Sequence, residues 1–333
     1  MKLIIPMAGQ GSRLRPHTLT TPKPLLPVAG PMLIERIVRS FMDSIEQPIE
    51  EIAFILGDFG SHVEDNLSHM AQNLGAKPSF YYQKEAKGTA HAVHCAAPSL
   101  KGEVIVAFAD TLFKTQGKIT LSEADSIIWL KKVEDPSRYG VAIMDQGRIT
   151  GFVEKPKERI SDLAIIGVYY FKEGERLLRE IQYLIDHDIR GHKSEYDLTD
   201  AIDRMLKQKA DFRAADVTQW LDFGTIPAWL ESTSIILDEQ QQTLPDTLKQ
   251  SNSKIIPPCY IGNGVELKNA VIGPYACIGD QCTIIDSSIE HSVVRDHTTI
   301  RHSSLSNSTI GMHASIRHLK GQTHAGDYSI VSD

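Results

Sequence analysis

Apolar positions along the first 110 residues switch between two periods. Leu3 to Met7, Ile52 to Leu56 and Val104 to Ala109 are short continuous apolar runs, and Ser79 to Tyr82 is a shorter aromatic one. Between them apolar residues recur at helical spacing, as Leu33, Ile34, Ile37, Val38 and Phe41, then as Val63, Leu67, Met70 and Leu74. An alanine-rich run from Ala90 to Ala97, stopped by Pro98, reads as a further helix. Buried strands alternating with amphipathic helices predict an α/β domain with a doubly wound, largely parallel sheet. Ligands bind such sheets beyond the carboxyl ends of the strands. The first strand ends at a glycine-rich turn and Val104 to Ala109 ends at Asp110, so both are expected at one cleft.

Beyond Asp110 the pattern changes. Ser126 to Lys131, Gly140 to Met144, Arg148 to Val153 and Ile165 to Phe171 are strand-like with few helices between them, which suggests an added β-rich lobe for a second substrate. Helices are predicted over Glu173 to Asp186, Leu198 to Leu206 and Pro227 to Leu237. The polar, glutamine-rich stretch after Leu237 contains Pro245 and reads as a linker. After it, apolar anchors fall every five or six residues from Ile255 to Ile316, several followed by glycine. That period predicts a parallel β-helix of three short strands per coil. The expected division is a catalytic domain over 1–240, a linker over 241–254 and the β-helix over 255–333.

Composition narrows the function classes. The chain has 333 residues, enough for two domains, and a net charge of -7, which offers no basic face for a nucleic-acid backbone. Four cysteines without CxxC spacing suggest neither a disulfide framework nor a zinc site. No apolar run approaches the ~20 residues that span a bilayer, and no signal peptide precedes the first strand. A cytoplasmic protein with no membrane partner is expected.

The candidate chemistry begins at Ala8-Gly9-Gln10-Gly11-Ser12-Arg13. Glycines let backbone N–H groups approach an anion, Arg13 stands beside the turn, and Lys23 sits between Pro22 and Pro24. The spacing is neither that of a dinucleotide fingerprint nor that of a Walker loop. The whole run, Gly-x-Gly-Ser-Arg-Leu-x-Pro followed by Pro-Lys-Pro, resembles the sugar-1-phosphate nucleotidylyltransferase family, which makes NDP-sugars from an NTP and a sugar 1-phosphate. The C-terminal repeat likewise resembles the left-handed β-helix of hexapeptide proteins.

The resemblance implies a role for each matching residue. Arg13 and Lys23 would contact the triphosphate and stabilise charge passing to pyrophosphate, with Ala8, Gly9, Gly11 and Ser12 lining the nucleotide. Gln83, Gly88 and Thr89 would form the base pocket. Asp110, at a strand end, and Asp222, in Trp-x-Asp-x-Gly-Thr, match the family's metal aspartates and would hold Mg²⁺, a cation that takes carboxylate, phosphate and water oxygens. Tyr139-Gly140-Val141, Val153-Glu154-Lys155-Pro156 and the strand through Ile165 match the sugar-phosphate site, with Glu154 on sugar hydroxyls and Lys155 on the phosphate. Two departures stand out: Ala164 replaces a frequent asparagine, and Pro6-Met7-Ala8 stands where Leu-Ala followed by Gly or Ala is commoner. Glucose 1-phosphate with dTTP or UTP is the leading pair. Mannose 1-phosphate with GTP is the second, and a non-catalytic NDP-sugar-binding subunit is the alternative of another class.

Two readings concern the tail. Its histidines form a polar outer ladder, with His297 near His313 and His302 near His318 one coil apart, and a metal ladder is the less favoured alternative. A short β-helix exposes apolar edges at its ends, so a homo-oligomer assembled through it is expected.

Overall fold

The computed structural model describes residues 1–333 except 122–123, 192–193 and 242, and except the side chain of Arg138. Gln242, inside the expected linker, therefore lies outside the described residues. The chain forms two compact units, Met1–Gly9 with Glu35–Leu221, and Gln10–Ile34 with Asp222–Asp333.

The first unit is built on β1 (Lys2–Pro6), β2 (Glu51–Leu56), β3 (Lys77–Tyr82), β4 (Val104–Ala107), β5 (Thr111–Lys114), β6 (Ser126–Lys132), β7 (Gly140–Asp145), β8 (Arg148–Glu154), β9 (Leu163–Phe171), β10 (Phe212–Asp216) and β11 (Gln219–Asp222). Its helices are α1 (Leu33–Ser44), which starts at the junction of the units, α2 (Ser61–Asn73), α3 (Thr89–Cys95), α4 (Gly174–Asp186) and α5 (Leu198–Lys207). Among the described residues, nine strands make one sheet in the order β3-β2-β1-β4-β9-β6-β10-β8-β7, and β11 pairs with β5. The β3-β2-β1-β4 half is parallel, as the continuous apolar runs predict. The other half is mostly antiparallel, with β9 running against both β4 and β6.

The strands after Asp110 are therefore no separate lobe. They continue the same sheet, because β9, buried along nearly its whole length, inserts between β4 and β6. The core joins Ile4, Ile55, Val104 and Val106 of the strands to Val93, Leu177, Ile181, Ile202 and Met205 of α3, α4 and α5.

In the second unit, the loop Gln10–Ile34 contains three short 3-10 turns and an isolated antiparallel bridge between Pro27 and Met32 before α1. It is joined by α6 (Ile226–Glu239) and a parallel β-helix. The coils stack in three sheets. Leu267, Ile284, Ile300, Ile316 and Val331 form one inward column, Ile255, Ile272, Ile289 and Leu305 the second, and Ile261, Ile278, Val294, Ile310 and Ala325 the third. Strand Lys249–Ser251 already pairs with Glu266–Lys268, so the coil starts inside the stretch expected to be linker. That strand is wholly exposed and carries no apolar anchor, which is why the period does not reveal it.

The coil corners explain the histidines. Asn252, Asn269, Asp286, His302 and His318 all have φ between 46° and 60°, as do Gln281, His297, His313 and Tyr328 at another corner. Left-handed corners favour residues such as Asn, Asp and His. Stacked coils place their rings face to face: His297 and His313 lie 4.8 Å apart, His302 and His318 5.2 Å, and Tyr328 continues the first stack at 5.0 Å from His313.

Candidate active site

The expected base pocket lies in the first unit. Gln83 follows β3, and its amide nitrogen donates to Gly88 O at 3.0 Å and approaches His91 Nδ1 at 3.1 Å. Burial, aided by Lys87 and His94, lowers the His91 pKa and keeps the ring neutral, so Nδ1 can accept. Both amide hydrogens of Gln83 are then engaged, and its carbonyl oxygen is the atom left to read a ligand. Nothing in the sequence marks His91 for this orienting role, because the i, i+8 distance from Gln83 across a turn gives no periodic signal. At φ 109°, a Cβ on Gly88 would lie 2.5 Å from Tyr196 O, so only glycine lets the two backbones meet here. Thr89 Oγ1 accepts the Leu198 N–H at 2.9 Å at the start of α5, a structural task.

The expected sugar-phosphate residues are brought together by β7 and β8. Gly140 pairs with Glu154 across the ladder, and a Cβ on Gly140 would lie 2.9 Å from Glu154 Oε2 and 3.6 Å from Ile165 Cδ1. Lys155 Nζ meets Glu154 Oε1 at 2.8 Å, and its backbone N–H donates to Tyr139 O at 3.1 Å. Lys155 has φ 45°, which costs about 1 kcal/mol or more for a non-glycine residue and is tolerated where a side chain must be aimed. The Tyr139 ring packs edge-on against Trp220 at 5.0 Å, which ties this corner to β11.

Asp110 follows β4, and the next residue, Thr111, donates to Ile166 O at 2.9 Å, fixing this strand end to β9. Of the first glycines, Ala8 O would lie 3.1 Å from a Cβ on Gly57, whereas a Cβ on Gly9 would meet nothing within 4 Å. Gly9 is therefore not demanded by the chain's own packing.

The remaining expected residues lie in the second unit. Gly11 is left-handed (φ 59°, ψ 33°), and its carbonyl accepts from Thr18 Oγ1 at 2.8 Å and from the Leu14 N–H at 2.9 Å. A Cβ there would lie 3.1 Å from Thr18 Cγ2 and 3.3 Å from Lys23 Cβ, so Gly11 brings the Lys23 turn close to the Ser12–Leu14 turn. Asp222 Oδ1 accepts the Gly224 N–H at 2.8 Å, its carbonyl accepts from Ser232 Oγ of α6, and Thr225 caps α6 by accepting the Ala228 N–H. A Cβ on Gly224 would lie 3.0 Å from Asp222 Oδ1 and 3.1 Å from Arg13 Nη2, so guanidinium and carboxylate converge on that glycine.

Among the described residues, no group of three or more His, Cys, Asp or Glu side chains could hold a metal ion. A cation held here would take one or two carboxylates and complete its shell with substrate oxygens and water, which is how Mg²⁺ binds beside phosphates. Asp110 and Asp222, hard donors that are both at least partly accessible, fit that chemistry. The cysteines are poorly suited as nucleophiles: Cys259, Cys277 and Cys282 are buried, burial pushes the Cys282 thiol up to about 12, and burial also raises that of the half-buried Cys95.

Comparison with known proteins gives the family. The model of the nucleotidyl transferase family matches residues 2–239. The chain belongs to that family. This nucleotidyltransferase is 30% identical to glucose-1-phosphate thymidylyltransferase of Streptomyces antibioticus, over 88% of this chain and 87% of that protein. It is 28% identical to the mannose-1-phosphate guanylyltransferase catalytic subunit beta of Danio rerio, over 85% of this chain and 74% of that protein. A solved UDP-glucose pyrophosphorylase complexed with UDP-glucose shares its fold at a TM-score of 0.60 and 24% identity, covering 72% of this chain and 99% of that one. The nucleotidyltransferase has, among the described residues, no helix long and apolar enough to cross a membrane.

Proposed function

We propose that this nucleotidyltransferase joins an NTP to a sugar 1-phosphate, releasing pyrophosphate and an NDP-sugar, with glucose 1-phosphate and dTTP or UTP as the pair. The Glu154–Lys155 turn carries the sugar-phosphate reading: a lysine in left-handed backbone, tied to Tyr139 and paired with Glu154, sets a cation beside a hydroxyl acceptor.

The chemistry asks for no enzyme nucleophile. An oxygen of the sugar phosphate attacks the α-phosphorus of the NTP in line; a new P–O bond forms as the bond to the β-phosphate breaks, and pyrophosphate leaves with the electron pair. Lys155 binds the attacking phosphate, and Arg13 and Lys23 neutralise the charge that grows on the leaving group. Asp110 and Asp222 would hold Mg²⁺, which when bound screens the triphosphate. Gln83 reads the base through its carbonyl oxygen, which accepts from an N–H on the base edge. Thymine and uracil offer their ring N–H. Guanine offers one too, which keeps GTP with mannose 1-phosphate as the second reading.

Pyrophosphate release across a panel of NTPs and sugar 1-phosphates tests the assignment. Turnover with dTTP or UTP and glucose 1-phosphate is expected. NDP-sugar binding with no turnover on any pair would instead identify a regulatory subunit. We also propose a cytoplasmic homo-oligomer whose contacts include the β-helix, on which Tyr328 and Ile330 are exposed. A monomer by light scattering would refute that assembly.

A further inference from the structure

The third column of the β-helix is followed by a column of glycines with one exception. After Ile261, Ile278, Val294, Ile310 and Ala325 come Gly262, Gly279, Arg295, Gly311 and Gly326. Ladder bonds confirm the alignment: the Gly279 N–H donates to Val294 O, the Arg295 N–H to Ile310 O and the Gly311 N–H to Ala325 O. The glycines are needed where they stand, since a Cβ on Gly311 would lie 2.4 Å from Asp327 N and one on Gly279 2.7 Å from Asp296 N.

Arg295 breaks the pattern, and its side chain is only 5% exposed. Its guanidinium is spent away from the coil's apolar interior: Nη1 donates to Asp327 Oδ1 at 2.8 Å, and Nη2 donates to Thr21 Oγ1 at 2.9 Å. Asp327 also accepts from Thr20 Oγ1 at 2.6 Å. Beside them, Thr309 Oγ1 lies 2.7 Å from His17 Nε2 and 2.8 Å from His324 Nδ1. With one proton, that hydroxyl must donate to one ring and accept from the other. His17 is fully buried, and Pro16 packs so closely on Gly326 that a Cβ there would lie 3.1 Å from Pro16 Cβ. A buried ion pair is costly to desolvate, and the neighbouring coils close with glycine in its place. Asp327 Oδ1 also accepts the Met312 N–H within the coils at 2.8 Å, and what the Arg295–Asp327 pair adds beyond that is a hold on the loop.

We propose that Arg295, Asp327 and Thr309 are positioning residues for nucleotidyl transfer, pinning the loop to the β-helix so that the C-terminal coils set where Arg13 and Lys23 stand. The catalytic consequence rests on the function proposed above, whereas the pinning does not. His17, Thr20 and Thr21, the pinned residues, lie between Arg13 and Lys23 in sequence, so both cations flank one anchored segment. The pinned residues sit among short 3-10 turns, where His17 also packs edge-on against Trp229 of α6 at 5.4 Å, and a small misplacement of a catalytic group is enough to cost a large factor in rate.

The test uses the full-length chain with Thr309→Val, Thr309→Ser and the double variant Arg295→Met/Asp327→Asn, which removes both charges and leaves neither alone. Hydrogen exchange is followed at the Leu14, Leu19 and Thr21 amides, which bond within the loop, and at Ile5 and Val106 in the sheet. Thr309→Val and the double variant are expected to speed exchange at the loop amides about tenfold, leave the sheet amides unchanged and lower kcat about tenfold, with the KM for the sugar phosphate within about twofold. Thr309→Ser, which keeps the hydroxyl, should behave as the wild type. Unchanged loop exchange in both disruptive variants would overturn the proposal, as would an equal rise at Ile5 and Val106. A wild-type chain that turns over no NTP would sink the proposed function, while the exchange comparison would still decide the pinning.

Discussion

The residues expected to meet the sugar phosphate and those expected to meet the triphosphate are held in opposite ways. Tyr139, Gly140, Glu154, Lys155 and Ile165 sit in or beside three paired strands, so their geometry follows from a ladder whose partners lie within about 25 residues of one another. Gly11, Ser12, Arg13 and Lys23 sit on no strand, and the residues that pin their loop lie about 290 positions away in sequence, as the 292-residue separation of His17 and Thr309 shows. A strand-borne site is precise through local pairing. A loop-borne one borrows its precision, here from a domain that carries none of the residues assigned to the chemistry.

Each half also carries one of the two carboxylates, and the largest effects should come from them. Asp110→Asn and Asp222→Asn are each expected to lower turnover by about 100-fold or more, because charge developing at the phosphates loses its counter-ion. Asparagine keeps an oxygen that can accept the Gly224 N–H, so Asp222→Asn should stay folded. Turnover measured with and without EDTA, and on restoring Mg²⁺, checks both residues. Full activity in either variant would remove that aspartate from the site.

Acid should separate the two halves next. Burial, reinforced by the Arg295 charge and His324 and opposed by Asp327, lowers the His17 pKa to about 4. His17 is thus neutral in the folded protein and takes up its proton mainly on unfolding. Its contribution is present in full above pH 6.5 and lost as pH falls from 6.5 to 4, by about 3 kcal/mol in all. The melting temperature should fall more steeply over that window in the wild type than in His17→Gln. Parallel curves would show that His17 does not couple the loop to pH.

How much of this was legible in the sequence depends on range. The parallel half of the sheet, α1 to α6 and the β-helix anchors could be read because apolar periodicity is local. Phe212–Asp216 escaped notice because Arg213, Ala214 and Ala215 give no alternation, and Thr111–Lys114 because it follows so closely on Asp110. The glycine turn, both aspartates and the Glu-Lys-Pro run were visible as motifs. Arg295, Thr309 and Asp327 were not, since nothing in their own neighbourhoods points to the loop. One signal was available in hindsight: an arginine standing in a column of glycines.

A smaller effect distinguishes the two lysines. Lys23→Ala should mainly lower kcat and Lys155→Ala should mainly raise the KM for the sugar phosphate, each by about tenfold, because the two cations are assigned to different anions. The Glu154 pairing sharpens this, since losing Lys155 also frees the carboxylate from its 2.8 Å partner. Kinetic constants for both substrates decide it. Equal effects of both variants on both substrates would mean that the strand-held and loop-held groups do not divide the work.

The smallest effect is expected at the histidine corners, where the β-helix is the contrast to its own loop-binding face. In the column Asn252, Asn269, Asp286, His302, His318, the first members are linked side chain to side chain: Asn252 Nδ2 donates to Asn269 Oδ1 at 2.9 Å, and Asn269 Nδ2 to Asp286 Oδ1 at 2.8 Å. His302 continues the column with its Nδ1 3.6 Å from Asp286 Oδ2, too long for a hydrogen bond and exposed enough to be screened. All five residues share left-handed backbone, which asparagine adopts more readily than most residues. His302→Asn would therefore extend an asparagine ladder already present two coils earlier and exchange ring stacking for a side-chain hydrogen bond. Stability should move by no more than about 0.5 kcal/mol, as for most surface changes. Adding Zn²⁺ or Ni²⁺ should leave the melting temperature of wild type and variant alike. A metal-dependent rise in the wild type that His302→Asn abolishes would turn these corners from a structural ladder into a metal site.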